Sequence, residues 1–173
     1  MIIFAKYGPY ERRIFIEECL EKYLSAAGKT RLSDCAHIEK SVNDKPYFKD
    51  YPDIRFSISH SGNLVVLAMS ETEVGIDIEE IKPRNFEAVV NRHFSEDEKK
   101  EAADLEGFLR VWTRKEAYLK LTGEGLGGLA DADVSSQITY SGSPLKFTSL
   151  DIFKGYAGAV VAAEQPIIFV QLD

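Results

Sequence analysis

Val74-Gly75-Ile76-Asp77-Ile78-Glu79-Glu80 alternates Val74, Ile76 and Ile78 with Gly75, Asp77 and Glu79. That alternation predicts a β-strand with one aliphatic, buried face and an opposite face carrying two carboxylates side by side. Like charges so close repel, and they rarely share a strand face without a compensating cation. The bland alternative is a half-exposed strand with a solvated acidic face. What tips the balance lies further on, in Phe108-Leu-Arg-Val-Trp112-Thr-Arg-Lys115-Glu116-Ala-Tyr-Leu119-Lys120-Leu-Thr-Gly123. This stretch predicts a helix closed by glycine, with Leu105, Leu109, Trp112 and Leu119 as its inward stripe. Glu116 falls in the same stripe. A carboxylate there is costly unless it is paired or binds a metal. Lys115 and Lys120 flank it. Three carboxylates (Asp77, Glu79, Glu116) with lysines beside them suit a Mg²⁺ ion holding a phosphate-bearing substrate.

The chain has 173 residues, enough for one domain or two small halves sharing a core. Its net charge of −7 argues against non-specific nucleic-acid binding, which needs a basic field. The longest apolar run, Leu64 to Met69, is too short to span a bilayer, and Met1-Ile-Ile-Phe-Ala lacks the features of a signal peptide. Cys19 and Cys35 form no paired motif and are expected as buried small hydrophobes in a reducing cytoplasm.

In chain order, a strand over Ile2 to Tyr7 precedes a helix from about Tyr10 to Ala27, with Ile14, Ile16, Leu20, Tyr23 and Leu24 inward. Arg12 and Arg13 lie in its first turn, either as solvated cations or as a phosphate contact. A short strand near Ala36 to Glu39 and a turn at Asn43 to Tyr47 follow. Ile54 to His60 and Leu64 to Met69 predict a hairpin joined at Ser61-Gly62-Asn63, with His60 at its end. Ser95-Glu-Asp-Glu98 has the capping-box pattern. The glycines from Gly123 to Gly128 follow a helix rather than precede one, so they are no phosphate-binding loop. Four further strands are expected from Gln137 onward. The order suggests an α+β protein of two halves, residues 1–72 and 73–173, packed as one unit with the acidic site in the second.

Several stretches in order carry a family resemblance: Asp44-Lys-Pro-Tyr47, Phe56-Ser-Ile-Ser-His-Ser61, Gly75-Ile-Asp-Ile-Glu79, Arg92-His-Phe-Ser95 with Glu98, and Trp112-x-x-Lys-Glu-Ala-x-x-Lys120. Together they resemble the 4′-phosphopantetheinyl transferases of the surfactin-synthetase-activating type. The resemblance implies two similar α+β halves related by a pseudo-two-fold axis, within one monomer. It implies Mg²⁺-dependent transfer of phosphopantetheine from coenzyme A to a serine of an apo-acyl or peptidyl carrier protein. On that basis Asp77, Glu79 and Glu116 would hold the metal, and Glu116 could instead be the base. Lys120 would contact the pyrophosphate, with Lys115 beside it. Glu98 would either lie near the metal or simply cap its helix. Ser59 and His60 would meet the coenzyme A phosphates, Lys45 and Pro46 the adenine end. Arg13 matches a family arginine, and Arg12 or Arg13 would supply part of the charge for the 3′-phosphate that a basic segment gives in larger members. Two other functions use similar residues. A non-catalytic coenzyme A- or nucleotide-binding protein would bind without modifying a carrier, and a Mg²⁺ phosphohydrolase would release free phosphopantetheine.

Overall fold

The computed structural model describes residues 1–33, 35–129 and 131–173. In chain order the elements are β1 (Ile2–Tyr7), α1 (Arg12–Ala26), β2 (Ile38–Lys40), β3 (Pro46–Phe48), β4 (Arg55–Ser61), β5 (Leu64–Ser70) and β6 (Val74–Glu80). Then come α2 (Glu87–His93), α3 (Glu96–Glu101), α4 (Leu105–Thr122), β7 (Thr139–Tyr140), β8 (Ser143–Ser149), β9 (Tyr156–Ala163) and β10 (Ile168–Gln171). One sheet runs β10-β1-β5-β4, a second β6-β9-β8-β7, and β2 and β3 form a small ribbon. The protein is thus α+β. The ribbon strand Pro46–Phe48 lies where the sequence signalled only a turn.

The strands alternate their side chains, so each sheet presents two apolar faces, and the layers follow from what covers them. Phe4, Val65, Leu67 and Met69 on one face of the first sheet pack under α1 through Phe15, Ile16, Cys19 and Leu20. Ile3, Ala5, Val66 and Ala68 on its other face pack against Val74, Ile76, Ile78 and Val160 of the second sheet. The far face of the second sheet, Ala159 and Val161, lies under Ala117 and Leu121 of α4. The order of layers is therefore α1, first sheet, second sheet, α4. The final strand β10 returns to the first sheet and pairs parallel with β1, Ile2 opposite Ile168. The order of elements suggests mostly antiparallel sheets, and β1–β10 is the parallel exception among the described pairings.

Two expectations about exposure change. In α1 the inward face is Phe15, Ile16, Cys19, Leu20, Tyr23 and Leu24, whereas Ile14 is exposed. Cys35 is exposed as well, unlike the buried Cys19. Burial pushes the Cys19 thiol far above its ordinary pKa, which keeps it protonated and inert.

Candidate active site

β6 is not the half-exposed strand of the bland alternative. Val74 through Ile78 are all buried, because the acidic face lies under a helix as the aliphatic face lies over a sheet. Gly75 permits this. A Cβ built there would stand 1.8 Å from the Ala117 carbonyl oxygen, so α4 crosses β6 at backbone contact. Asp77, two residues along the same face, is carried under α4 as well. Helix α4 begins at Asp104, whose side chain accepts the Gly107 N–H at 2.7 Å, and ends on Gly123 in the left-handed region (φ 79°). It is enclosed nearly all round, so the single inward stripe of the sequence reading widens into several buried faces.

Lys120 Nζ donates to Asp77 Oδ1 at 2.6 Å, and Ser59 Oγ donates to the same oxygen at 2.7 Å. The other oxygen, Asp77 Oδ2, is buried without a hydrogen-bond partner. Burial raises the Asp77 pKa above its ordinary value, against the opposing pull of Lys120 and Ser59. Glu116 is half-buried and makes no hydrogen bond or ion pair among the described residues. Its pKa is also raised, first by burial, then by the charge of Asp77, with Glu79 adding to it and Lys120 opposing. Glu79 Oε2 accepts from Arg84 Nη1 at 3.0 Å and Ser61 Oγ at 3.4 Å. Among the described residues, no group of three or more His, Cys, Asp or Glu side chains is arranged to hold a metal ion as it stands. The predicted triad is brought within electrostatic reach, but Lys120 and Arg84 neutralise two of its members. The donor chemistry still suits a hard cation: oxygens throughout, one of them a buried acceptor lacking any donor.

A cleft of ≈ 280 Å³ opens beside this cluster, lined by Glu116 and Lys120 from the second half and by Arg12, Lys45 and Pro46 from the first. A groove of ≈ 680 Å³ adjoins it, lined by Arg12, Arg13, Lys40 and Pro46 together with Glu11 and Asp44. Lys45 Nζ binds Glu73 Oε2 and the Leu121 carbonyl, while Arg55 Nε donates to Glu73 Oε1 at 2.7 Å. Burial raises the Glu73 pKa, but the hydrogen bonds from Lys45 and Arg55 outweigh it and hold the carboxyl below its usual range. Lys45 is pulled down by burial despite Glu73. The geometry of two cations on one carboxylate supports an ionised pair.

Four predicted residues are placed or committed otherwise. Lys115 and Glu98 are not at the cleft. They are fully buried and joined to each other at 2.9 Å. Lys115 Nζ also donates to the carbonyls of Leu129 (3.3 Å) and Ala132 and lies 5.5 Å from the Phe94 ring centre. Glu98 completes its capping box with Ser95 and accepts the Val134 N–H at 2.8 Å. The physical reason is helical geometry: consecutive residues point about 100° apart, so Lys115 and Glu116 face different neighbours around α4. Ser59 is committed to Asp77 and to the Ile78 N–H (3.4 Å) rather than free for a phosphate. His60 is exposed, its ring 6.0 Å from Tyr10, and does not line the cleft. Sequence reading missed Ser61, Arg84 and Glu73. Only the serines left a signal, the alternation of Phe56-Ser-Ile-Ser-His-Ser61.

Fold and site together define an α+β protein whose acidic strand is pinned under a lysine-bearing helix beside a cleft lined by Arg12, Lys45 and Lys120 together with Asp44 and Glu116. The profile of the 4′-phosphopantetheinyl transferase superfamily matches residues 73–161, which include β6 and α4. Similar proteins are the 4′-phosphopantetheinyl transferase psf-1 of Bacillus pumilus (42% identical, over 51% of this chain and 40% of that protein) and the 4′-phosphopantetheinyl transferase Sfp of Bacillus subtilis strain 168 (34%, over 69% and 59%). Another 4′-phosphopantetheinyl transferase of Bacillus subtilis is 32% identical over 80% of this chain and 69% of its own length. This chain belongs to the 4′-phosphopantetheinyl transferase superfamily. It spans about half the length of the first two relatives.

Proposed function

We propose that the chain transfers the 4′-phosphopantetheine group of coenzyme A to a serine hydroxyl of an apo-carrier protein, with Mg²⁺ as cofactor and adenosine 3′,5′-bisphosphate as the other product. The observation that carries this is Asp77 Oδ2, a buried acceptor without a donor, beside Lys120 and an uncommitted Glu116. Such an oxygen favours a cation, and an all-oxygen donor set suits Mg²⁺. Asp77, Glu79 and Glu116 would hold the ion, Glu79 releasing Arg84 to do so. When bound, the ion neutralises charge that develops on the pyrophosphate oxygens as the phosphorus–oxygen bond to the nucleotide side breaks.

The other contributions come from the protein's own side chains. Lys120 offers its ammonium to an anion in the cleft. Arg12 and Arg13 extend positive charge into the adjoining groove, where the 3′-phosphate would reach. Pro46 and the stem of Lys45 give the cleft an apolar wall for the base. Glu116, with its proton affinity raised, suits the proton that the carrier serine gives up as its oxygen bonds to phosphorus. We read the working unit as a cytoplasmic monomer, since residues of both halves of one chain line the cleft. No described helix is long and apolar enough to cross a membrane.

The deciding experiment incubates apo-acyl and apo-peptidyl carriers with the protein, coenzyme A and Mg²⁺, and weighs them by mass spectrometry. The expected result is the phosphopantetheine mass increment, lost on chelation. Coenzyme A binding with no modified carrier overturns the proposal in favour of a binding protein. Release of free phosphopantetheine without a carrier favours a phosphohydrolase.

A further inference from the structure

The edge of β6 not paired with β9 is closed by hydroxyls rather than by a strand. Ser57, Ser59 and Ser61 occupy alternate positions of β4, the edge strand of the first sheet. Their Oγ atoms accept the N–H groups of Ile76 (3.1 Å), Ile78 (3.4 Å) and Glu80 (2.9 Å) in turn. Two of the three rungs do more. Ser59 accepts from the residue after Asp77 and donates to Asp77 Oδ1, and Ser61 accepts from the residue after Glu79 and donates to Glu79 Oε2. The Ser57 rung faces Gly75, which has no side chain to hold. Because a hydroxyl has one proton, accepting from the amide leaves its own hydrogen for the carboxylate.

We propose that Ser59 and Ser61 are positioning residues that set the rotamers of Asp77 and Glu79, so that Ser59 and Lys120 occupy Oδ1 and Asp77 offers Oδ2 to a divalent cation. This rests on the metal reading above. A partner behind a ligating carboxylate commonly changes metal affinity by about 10-fold or more when removed.

The test measures Mn²⁺ binding to the full chain by electron paramagnetic resonance, without coenzyme A or carrier, alongside thermal melts. Ser57→Ala and Ser59→Ala each remove one hydroxyl-to-amide rung, so both should lower the melting temperature. Only Ser59→Ala should weaken Mn²⁺ binding, by about 10-fold, while Ser57→Ala leaves it at the wild-type value. Ser59→Thr, which keeps a hydroxyl, should restore most of the affinity. If Ser59→Ala does not fold, Ser61→Ala on the less buried rung carries the same expectation with a smaller change. Equal affinities in Ser57→Ala and both other alanine variants overturn the positioning role and leave the metal site standing. A wild-type chain that binds no Mn²⁺ overturns both.

Discussion

The surroundings of Asp77 disfavour its charged form. Burial raises its pKa above the ordinary 3.8, and the two donors on Oδ1 only partly offset this. A carboxyl with a raised native pKa binds more protons folded than unfolded between the two values, so its contribution to stability falls as pH rises through that window. Asp77→Asn removes the penalty. The variant should gain stability relative to wild type as pH climbs from about 4 toward neutrality, read from urea midpoints at each pH, while losing phosphopantetheine transfer. A variant that instead became less stable than wild type across the range would mean that the Lys120 pair outweighs the burial. The proposed function leaves Glu116 two roles, base or metal ligand, and its raised pKa gives a way to separate them. As a base it must be deprotonated, so the transfer rate should rise with pH through a midpoint above the usual glutamate value. Glu116→Gln should then lower the rate by about 10²- to 10⁴-fold and erase that limb while Mn²⁺ affinity stays. Loss of Mn²⁺ affinity in Glu116→Gln would assign the residue to the metal instead.

At the scale of elements, the crossing of α4 over β6 positions all the chemistry, and Gly75 is what lets them touch. Gly75→Ala would drive a methyl group into the Ala117 carbonyl, where the obstacle is helix backbone and cannot rotate away. The expected loss is about 3 kcal/mol or more, with transfer falling further than the unfolded fraction explains, because Lys120 moves off Asp77. Urea denaturation and assays at matched folded fraction would check both parts. The Lys115–Glu98 pair bolts α3, α4 and the segment at Leu129 and Ala132 from the other flank. Lys115→Met should cost about 3–5 kcal/mol, since Glu98 is left sealed from water without its buried partner. The coenzyme A KM of the folded fraction should not change, and a large rise would return Lys115 to the cleft. These elements differ in how far the sequence revealed them. The strand at 74–80, the helix with its Gly123 cap and the Ser95 capping box all have local causes, and each formed as its residues predicted. That Glu116 would come near Asp77 followed from an acid in an apolar stripe. The placement of Lys115 did not follow, because a helix enclosed on several sides gives each flanking lysine a different neighbour. The hydroxyl rungs between β4 and β6 and the parallel pairing of β10 with β1 join residues far apart in the chain; the rungs leave only the alternation of Ser57, Ser59 and Ser61, which does not name their partners, and the β10 pairing leaves no periodic trace.

Across the whole molecule, the cleft exists because the two sheets meet along the β4–β6 seam and leave α1 and the Lys45 loop facing the end of α4. The cleft lining is therefore gathered from residues far apart in the chain, Arg12 and Lys45 on one side and Glu116 and Lys120 on the other. Arg12 is the cation of the first half that reaches both the cleft and the adjoining groove, whereas Arg13 lines the groove alone. Glu11 caps α1 through its bonds to the Arg13 and Ile14 amides, which offsets the unfavourable placement of two cations in a first helical turn and keeps them available to a ligand. If coenzyme A lies across cleft and groove, its phosphates should feel Arg12 more than Arg13. Arg12→Ala should raise the coenzyme A KM by about 10-fold, the worth of a charge-assisted hydrogen bond, with kcat little changed. Arg13→Ala should raise it less, and the difference between the two should shrink in high salt as exposed charge is screened. Steady-state kinetics at two ionic strengths would measure this, and identical KM values for both variants and wild type would remove α1 from the binding surface.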